Sequence, residues 1–255
     1  MAGAFTGLYV LMRLYPTWGW LAATGAYALL VPGLGEWGPS WLLPRVRPPV
    51  PAADEELEQE LRRVGRAAGV RIDGAAWWDF EHQEELEEVR LTGWGRRRRR
   101  AVFSAQAWRT LGRREQVFLA ARHLAWHRHG AALGLQGLQV ALAGGVFWGA
   151  ARIADAAARA RGLPGAVAPE AFPFWVVALF ALAALAGVAA HAVARRMEMR
   201  ADRFALRHAG GADVLRSCLR HRFEREPFAV DAPGWQVALL RKMPTPAKRL
   251  AQAQA

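Results

Sequence analysis

Two histidines and a distant carboxylate are the residues of this chain whose types and spacing suit metal chemistry. His123 and His127 stand four positions apart in a segment with helical spacing. Side chains at i and i+4 face the same side of a helix, so both imidazoles reach one metal ion. A carboxylate of the segment Glu198–Asp202, roughly seventy residues further along the chain, can supply a third ligand. Three ligands of this kind hold zinc while one position stays open for water.

The residue that follows the first histidine is Leu124. Zinc peptidases with the H-E-x-x-H pattern carry a glutamate at this place, and it acts as general base on the metal-bound water. Leucine accepts no proton, and losing general-base assistance typically costs on the order of 100- to 10,000-fold in rate. The pattern therefore predicts a zinc site that contains His123, His127 and a distant carboxylate, and in which no catalytic residue is assured. The alternative is that both histidines are solvated or packed in a core.

The composition predicts a membrane protein. Of 255 residues 53% are hydrophobic and 22% are charged, and the apolar residues are gathered in blocks. The formal charge of +12 comes almost entirely from arginine, which beside apolar blocks is typical of cytoplasmic segments that face anionic lipid headgroups. No nucleic-acid motif accompanies the run Arg96–Arg100, so nucleic acid is not an expected partner. The single Cys218 excludes an internal disulfide and a multi-cysteine zinc site.

Three apolar segments are long enough to cross a bilayer, and a short apolar segment at 1–14 precedes them, which gives three to four transmembrane helices. The segments are 17–34, 131–154 and 172–194. Periodicity predicts further helices that begin at Asp54, Arg113, Met197 and Val214, and Trp37 and Trp41 are expected at the membrane interface. Short strands are expected near 77–80 and 87–91, around an acidic turn at Glu84–Glu85, and at 101–103.

Basic residues crowd every polar segment except the loop at 155–171. The positive-inside rule then places that loop outside the cell and the other polar segments in the cytoplasm. An even number of crossings separates His127 from Glu198, so both lie on the same side, as a shared metal site requires. The sequence thus predicts a multi-pass protein of the cell membrane with the candidate site in the cytoplasm.

The order of these features resembles the M48 family of membrane zinc metallopeptidases, the HtpX and Ste24 type. Residues 195–205, RRMEMRADRFA, are similar to the family's R-x-x-E-x-x-A-D-x-x-A segment. Residues 95–104 are similar to the basic turn and strand before the catalytic helix, and residues 244–250, PTPAKRL, to the P-P-T-x-x-R-L tail. In that family the glutamate at the position of Glu198 is the third zinc ligand, and the aspartate at the position of Asp202 supports the ligands from behind.

The resemblance implies a mainly α, α+β fold: a membrane-embedded, zincin-like metallopeptidase fold with a small cytoplasmic β-element. The implied regions are an N-terminal membrane segment at 1–43, a cytoplasmic metallopeptidase-like region at 44–130, a transmembrane helix pair at 131–194 and a cytoplasmic C-terminal region at 195–255.

Two alignments of the degenerate H-E-x-x-H helix compete. The ungapped alignment, anchored on Arg128-His129-Gly130, puts Arg122 and Trp126 at the two histidine positions, and then no zinc site survives. A slip of one residue puts His123 and His127 there and Leu124 on the glutamate, which keeps the ligands without the base. One residue turns a helical position by about 100°, so a structure distinguishes the two.

Three functions follow from these observations. The first is a catalytically impaired M48-like protein, a pseudo-peptidase, that binds polypeptide or membrane-protein partners in the old cleft. The second is an active zinc metalloendopeptidase in membrane protein quality control. In the third, the basic face docks only on lipid or a partner and the metal site is vestigial.

Overall fold

A computed structural model describes residues 7, 10–11, 13–15, 17–32, 42, 44–46, 48–78, 89–92, 99–128, 131–166, 168–225 and 232–254. The predictions for Trp37, Trp41, the turn at Glu84–Glu85 and Arg96–Arg98 lie outside these residues. The chain forms two compact units. The first comprises Met1–Glu36 and Leu133–Ala192, and the second comprises Trp37–Ala132 and Val193–Ala255.

Helices dominate the described residues, and one small sheet accompanies them. The helices are α1 (Gly19–Pro32), α2 (Glu55–Ala68), α3 (Ala105–Thr110), α4 (Arg113–His127), α5 (Ala131–Arg159), α6 (Phe172–His208), α7 (Ala212–Arg225), α8 (Gly234–Leu240) and α9 (Pro246–Gln254). The strands are β1 (Val50–Pro51), β2 (Ile72–Trp78), β3 (Val89–Thr92) and β4 (Arg99–Ser104).

The first unit is built from apolar helices. Leu133–Arg159 and Pro169–His208 are long and apolar enough to cross a membrane, and Gly19–Leu30 is a shorter apolar helix. Large apolar side chains point outward from α6, with Val177 69% and Leu185 67% exposed. Exposing such side chains to water costs free energy, whereas exposing them to lipid tails, which are equally apolar, does not. Within the described residues this makes two candidate spans, against the three to four that the sequence predicts.

Small residues bring the helices of the first unit together. A methyl group on Gly149 would lie 2.9 Å from Cδ1 of Leu182, and one on Gly144 would lie 3.4 Å from the Thr24 side chain. The space around Gly145, in contrast, is open. Helix α5 approaches α6 closely at Gly149, one helical turn after Gly145, because Gly149 faces α6.

Helix α2 of the second unit begins where the sequence predicts, directly after Asp54. The Asp54 side chain accepts a hydrogen bond from Leu57 N, which satisfies a backbone donor of the first turn. Gly69 ends the helix with φ 71°, a left-handed conformation that glycine adopts without strain. Leu57 and Leu61 are fully buried, so their helical spacing marks the core face of α2.

The sheet has the strand order β1-β2-β4-β3. Strand β2 pairs in parallel with β4, whereas β1 and β3 pair antiparallel with β2 and β4. The strand predicted at 101–103 is confirmed, and its Ala101 and Phe103 are fully buried. The strand predicted near residue 77 begins earlier, at Ile72, because it pairs with β4 along its length. Helix α4 packs against α2, β3 and α7, and so connects the sheet to the helical side of this unit.

The helix that the sequence predicts from Met197 to His208 is the second part of α6. Neither glycine nor proline occurs between residues 188 and 208, so nothing interrupts the helix after the apolar stretch. The loop predicted at 155–171 begins later than expected, because α5 continues to Arg159. Asp155 accepts hydrogen bonds from Arg159 Nε at 3.0 Å and Ala166 N at 3.1 Å, which shortens the loop.

Candidate functional site

Arg122 lies at the centre of the candidate site. Its Nη2 donates a hydrogen bond to Oε2 of Glu198 at 2.7 Å, and its Nε lies 2.6 Å from Oδ1 of Asp202. The neighbours of Arg122 on α4, Ala121 and Leu124, face the apolar core, so the helix projects the guanidinium toward α6. This contact joins α4 to the second part of α6 across 76 residues of sequence.

Glu198 and Asp202 share one face of α6, as their spacing of four residues predicts. Asp202 is fully buried, and the Glu198 side chain is 13% exposed. A buried carboxylate without a partner is costly, so both require a cation. The structure brings these two predicted residues together, and Arg122 binds both.

Arg249 supplies the second cation. Its Nε and Nη2 donate to the two carboxylate oxygens of Asp202 at 2.6 and 2.9 Å, the two-pronged geometry that a guanidinium forms with a carboxylate. Helix α9 carries this arginine, and Gln252 Nε2 of the same helix donates to Met199 O at 2.9 Å. The tail segment that resembles P-P-T-x-x-R-L therefore holds Asp202 together with Arg122.

The four side chains Arg122, Glu198, Asp202 and Arg249, called the charge cluster below, carry two positive and two negative charges. Burial lowers the pKa of Arg122, but the charges of Asp202 and Glu198 outweigh burial and raise it. Burial likewise raises the pKa of Asp202, but Arg122 and the hydrogen bonds from Arg249 outweigh burial and hold the pKa below its ordinary range. Both shifts favour the charged forms of Arg122 and Asp202. The formal charges of the two arginines and the two carboxylates sum to zero.

His123 and His127 lie on one face of α4, with ring centroids 5.8 Å apart. Burial lowers the pKa of His123 to about 4, with help from the nearby charges of Arg90 and Arg122. Burial also lowers the pKa of His127 to about 3, with help from Arg99. Both imidazoles are therefore neutral at pH 7.

The predicted zinc ligands His123, His127 and Glu198 are not assembled into a site. Among the residues that the structure describes, no group of three or more His, Cys, Asp or Glu side chains has an arrangement that could hold a metal ion. Glu198 binds Arg122 instead, and a fixed guanidinium beside it would repel a dication. The residues present do not fit zinc, because a cation of the protein itself neutralises the ligand carboxylate.

Leu124 is fully buried in the apolar core of the second unit with Val117 and Phe118. The general-base position of the slipped alignment thus faces the core. A carboxylate introduced there would be buried among apolar side chains, so Leu124→Glu is expected to destabilise the protein.

In the sequence, Arg122 was noted only because the ungapped alignment puts it at a histidine position of the motif. Arg249 was noted only as part of the tail that resembles the family. Neither was identified as a partner of Glu198 and Asp202. A signal did exist: two carboxylates on one face of a helix that leaves an apolar segment need counter-cations when that face is buried.

The fold is similar to that of a known membrane protease. The crystal structure of S. mikatae Ste24p matches with a TM-score of 0.76 at 14% sequence identity, over 100% of this chain and 63% of that chain. The present chain thus spans less than two thirds of the length of Ste24p. Family models and curated proteins provide no match to the sequence.

The likeness shows a fold like that of Ste24p, which is one of the type that the sequence resembles. The apolar helices agree with a membrane protein of this fold. At 14% identity the likeness extends to the fold alone.

Proposed function

We propose that this chain is an M48-like membrane protein with impaired peptide hydrolysis that binds polypeptide segments or membrane-protein partners. The observation that carries the proposal is the contact of Arg122 with Glu198. A zinc peptidase needs a metal that activates water and a base that takes the proton. Arg122 has no proton-accepting atom, so it neutralises Glu198 without activating water.

Polypeptide binding is supported by the open side of the sheet. In the described part of the chain, β3 pairs with β4 on one side and with no strand on the other. An extended polypeptide adds to such an edge through backbone hydrogen bonds, while alternate side chains give specificity. Helix α4, which carries Arg122, packs beside β3. A polypeptide on this edge would therefore run along the helix that carries the degenerate motif.

The membrane arrangement belongs to the same proposal. Arg195 and Arg196 directly follow the apolar stretch of α6, and the loop after α5 has few basic residues. The positive-inside rule places the second unit in the cytoplasm and that loop outside, in a multi-pass protein of the cell membrane. Partners are then cytoplasmic polypeptides, the cytoplasmic parts of membrane proteins, and the lipid bilayer itself.

An active zinc metalloendopeptidase in membrane protein quality control is the second candidate function. His123 and His127 favour it, because they share one helix face and are neutral at pH 7, the state in which imidazole binds zinc. Such a site requires Arg122 to release Glu198 and α4 to turn. Zinc-dependent proteolysis would establish this candidate.

The test measures binding and cleavage together on full-length protein in nanodiscs. Fluorescein-labelled β-casein serves as an unfolded polypeptide, its anisotropy reports binding, and gel electrophoresis reports cleavage. Saturable binding without cleavage supports the proposal. Cleavage that zinc restores after chelation, and that Glu198→Gln abolishes, would contradict it and establish the peptidase.

A further inference from the structure

Helix α8 presents large apolar side chains to its surroundings. Trp235 is 61% exposed, Leu239 48% and Leu240 70%. Val237, which points away from Trp235 and Leu239, is buried and holds α8 against the second unit. Three large apolar groups on one seven-residue helix are far more than a water-facing surface helix ordinarily exposes, so this face marks an interaction site.

Arg195 fixes the place of α8 in the molecule. Its Nη1 donates to Val237 O at 2.8 Å and to Arg241 O at 2.7 Å, both at the C-terminal end of α8, where backbone acceptors lack partners within the helix. Arg195 comes directly after the apolar stretch 172–194, and α6 passes through this point without a break. The end of α8 is thus attached at the residue where the candidate membrane span ends.

The distances suit the headgroup layer. A helix rises about 1.5 Å per residue, so Arg195 lies within about 2 Å, along the axis, of the last apolar residue. The headgroup region of each leaflet is roughly 5–8 Å thick, which is half the difference between the thickness of the whole bilayer and that of its hydrocarbon core. A helix attached to Arg195 therefore lies at the depth where apolar side chains meet acyl chains and polar groups meet headgroups.

The charges beside α8 suit the same surroundings. Arg241 and Lys242 directly follow the helix, and Arg196, an exposed residue, follows its anchor. Cations next to an apolar helix face are typical of helices that lie in the plane of an anionic membrane surface. Tryptophan is enriched at this depth because its ring is amphipathic.

We propose that α8 is an interfacial helix whose occupant is the lipid bilayer, with Trp235, Leu239 and Leu240 inserted at the boundary of headgroups and acyl chains. The helix binds the second unit to the membrane surface beside the end of the apolar stretch of α6. The charge cluster then has a constant distance from the bilayer. This inference concerns a surface separate from the Glu198 site and holds whether or not peptide hydrolysis is impaired.

Spin labelling of the full-length protein in liposomes that contain phosphatidylglycerol tests the proposal. On a Cys218→Ala background, Trp235→Cys and Leu240→Cys receive a nitroxide one at a time, and power saturation compares relaxation by oxygen with relaxation by a water-soluble nickel complex. Leu185→Cys on the apolar part of α6 gives the membrane reference, and Ala67→Cys on the exposed side of α2 gives the water reference.

We expect both α8 labels to favour oxygen over the nickel complex, as the label at 185 does. Each labelled variant replaces only one of the apolar residues, so the other apolar residues of α8 can still insert into the membrane. The two measurements are therefore independent. Labels at 235 and 240 that behave like the label at 67 would overturn the proposal. Poor access to both reagents together with a short distance between labels on two copies would also overturn it, because a second copy would then cover α8.

Discussion

Asp202 receives two arginines from distant parts of the second unit, Arg122 on α4 and Arg249 on α9. Together with Glu198 they form a buried cluster whose charges cancel. Each member is stabilised only while the others are present, because a buried ion without its partner keeps the full cost of desolvation. The cluster therefore joins three helices of the second unit through one carboxylate.

Removing one cation should unbalance this cluster. We expect Arg122→Met, which keeps most of the side-chain volume, to destabilise the protein by about 3–5 kcal/mol, because Glu198 and Asp202 then share Arg249 alone. The measurement is the free energy of unfolding in detergent, followed by tryptophan fluorescence in urea.

Two comparisons check the cause. Arg200→Met changes an exposed arginine of α6 and should stay within about 0.5 kcal/mol of wild type. Adding Asp202→Asn to Arg122→Met should recover part of the loss, since the surplus negative charge is removed. Equal effects of Arg122→Met and Arg200→Met would refute the structural role of the cluster.

The two histidines of α4 predict a dependence of stability on pH. In the folded protein the pKa is about 4 for His123 and about 3 for His127, against 6.5 for an unperturbed histidine. Between pH 6.5 and about 4 the unfolded chain therefore binds protons that the folded chain does not, so stability falls as the pH falls through this range. His123→Gln should flatten the unfolding free energy over that range. A wild-type curve that is level between pH 7 and 4.5 would show that the histidines are solvated.

Helices and strands could be predicted where the pattern of residue types that specifies them lies within a few neighbouring residues. The helix start at Asp54 and the strand at 101–103 lie in short patterns of residue type, and both are confirmed. The start of β2 depends on pairing with β4, and the continuity of α6 depends on the absence of a helix breaker; both were predicted less well. The contact of Arg249 with Asp202 spans 47 residues and depends on tertiary packing, which no local pattern reveals.

Close packing of α2 on the sheet predicts a specific cost. A methyl group on Gly65 would lie 2.7 Å from Val70 O and 2.8 Å from Cγ1 of Ile72. We expect Gly65→Ala to lower stability by about 1–3 kcal/mol through overpacking, in spite of alanine's higher helix propensity. The melting temperature in detergent is the readout, and Gly234→Ala, where the space is open, is the control. A Gly65→Ala protein as stable as this control would contradict the packing of α2.

At the scale of the whole chain, a unit with two candidate spans alternates in sequence with a unit that carries the sheet and the charge cluster. The chain crosses from the second unit to the first after α4 and returns within α6. The segments that contribute Arg122 and Glu198 are thus separated by two candidate crossings. Both reach one cluster only if the number of crossings between them is even.

This arrangement predicts which positions face the outside of the cell. On a Cys218→Ala background, Glu170→Cys lies in the loop before α6 and Ala67→Cys on the exposed side of α2. A membrane-impermeant maleimide added to intact cells should label position 170, and position 67 only after the membrane is opened. Labelling of position 67 in intact cells would contradict the cytoplasmic placement of the second unit.

The most direct test of whether Arg122 stands where a peptidase would hold its metal is the zinc content per chain of detergent-purified protein. The charge cluster predicts no more zinc in wild type than in Glu198→Ala or His127→Ala, because the guanidinium already neutralises Glu198. Near-stoichiometric zinc in wild type, lost in both variants, would contradict this. The ligands would then be His123, His127 and Glu198, and the protein would be a candidate peptidase.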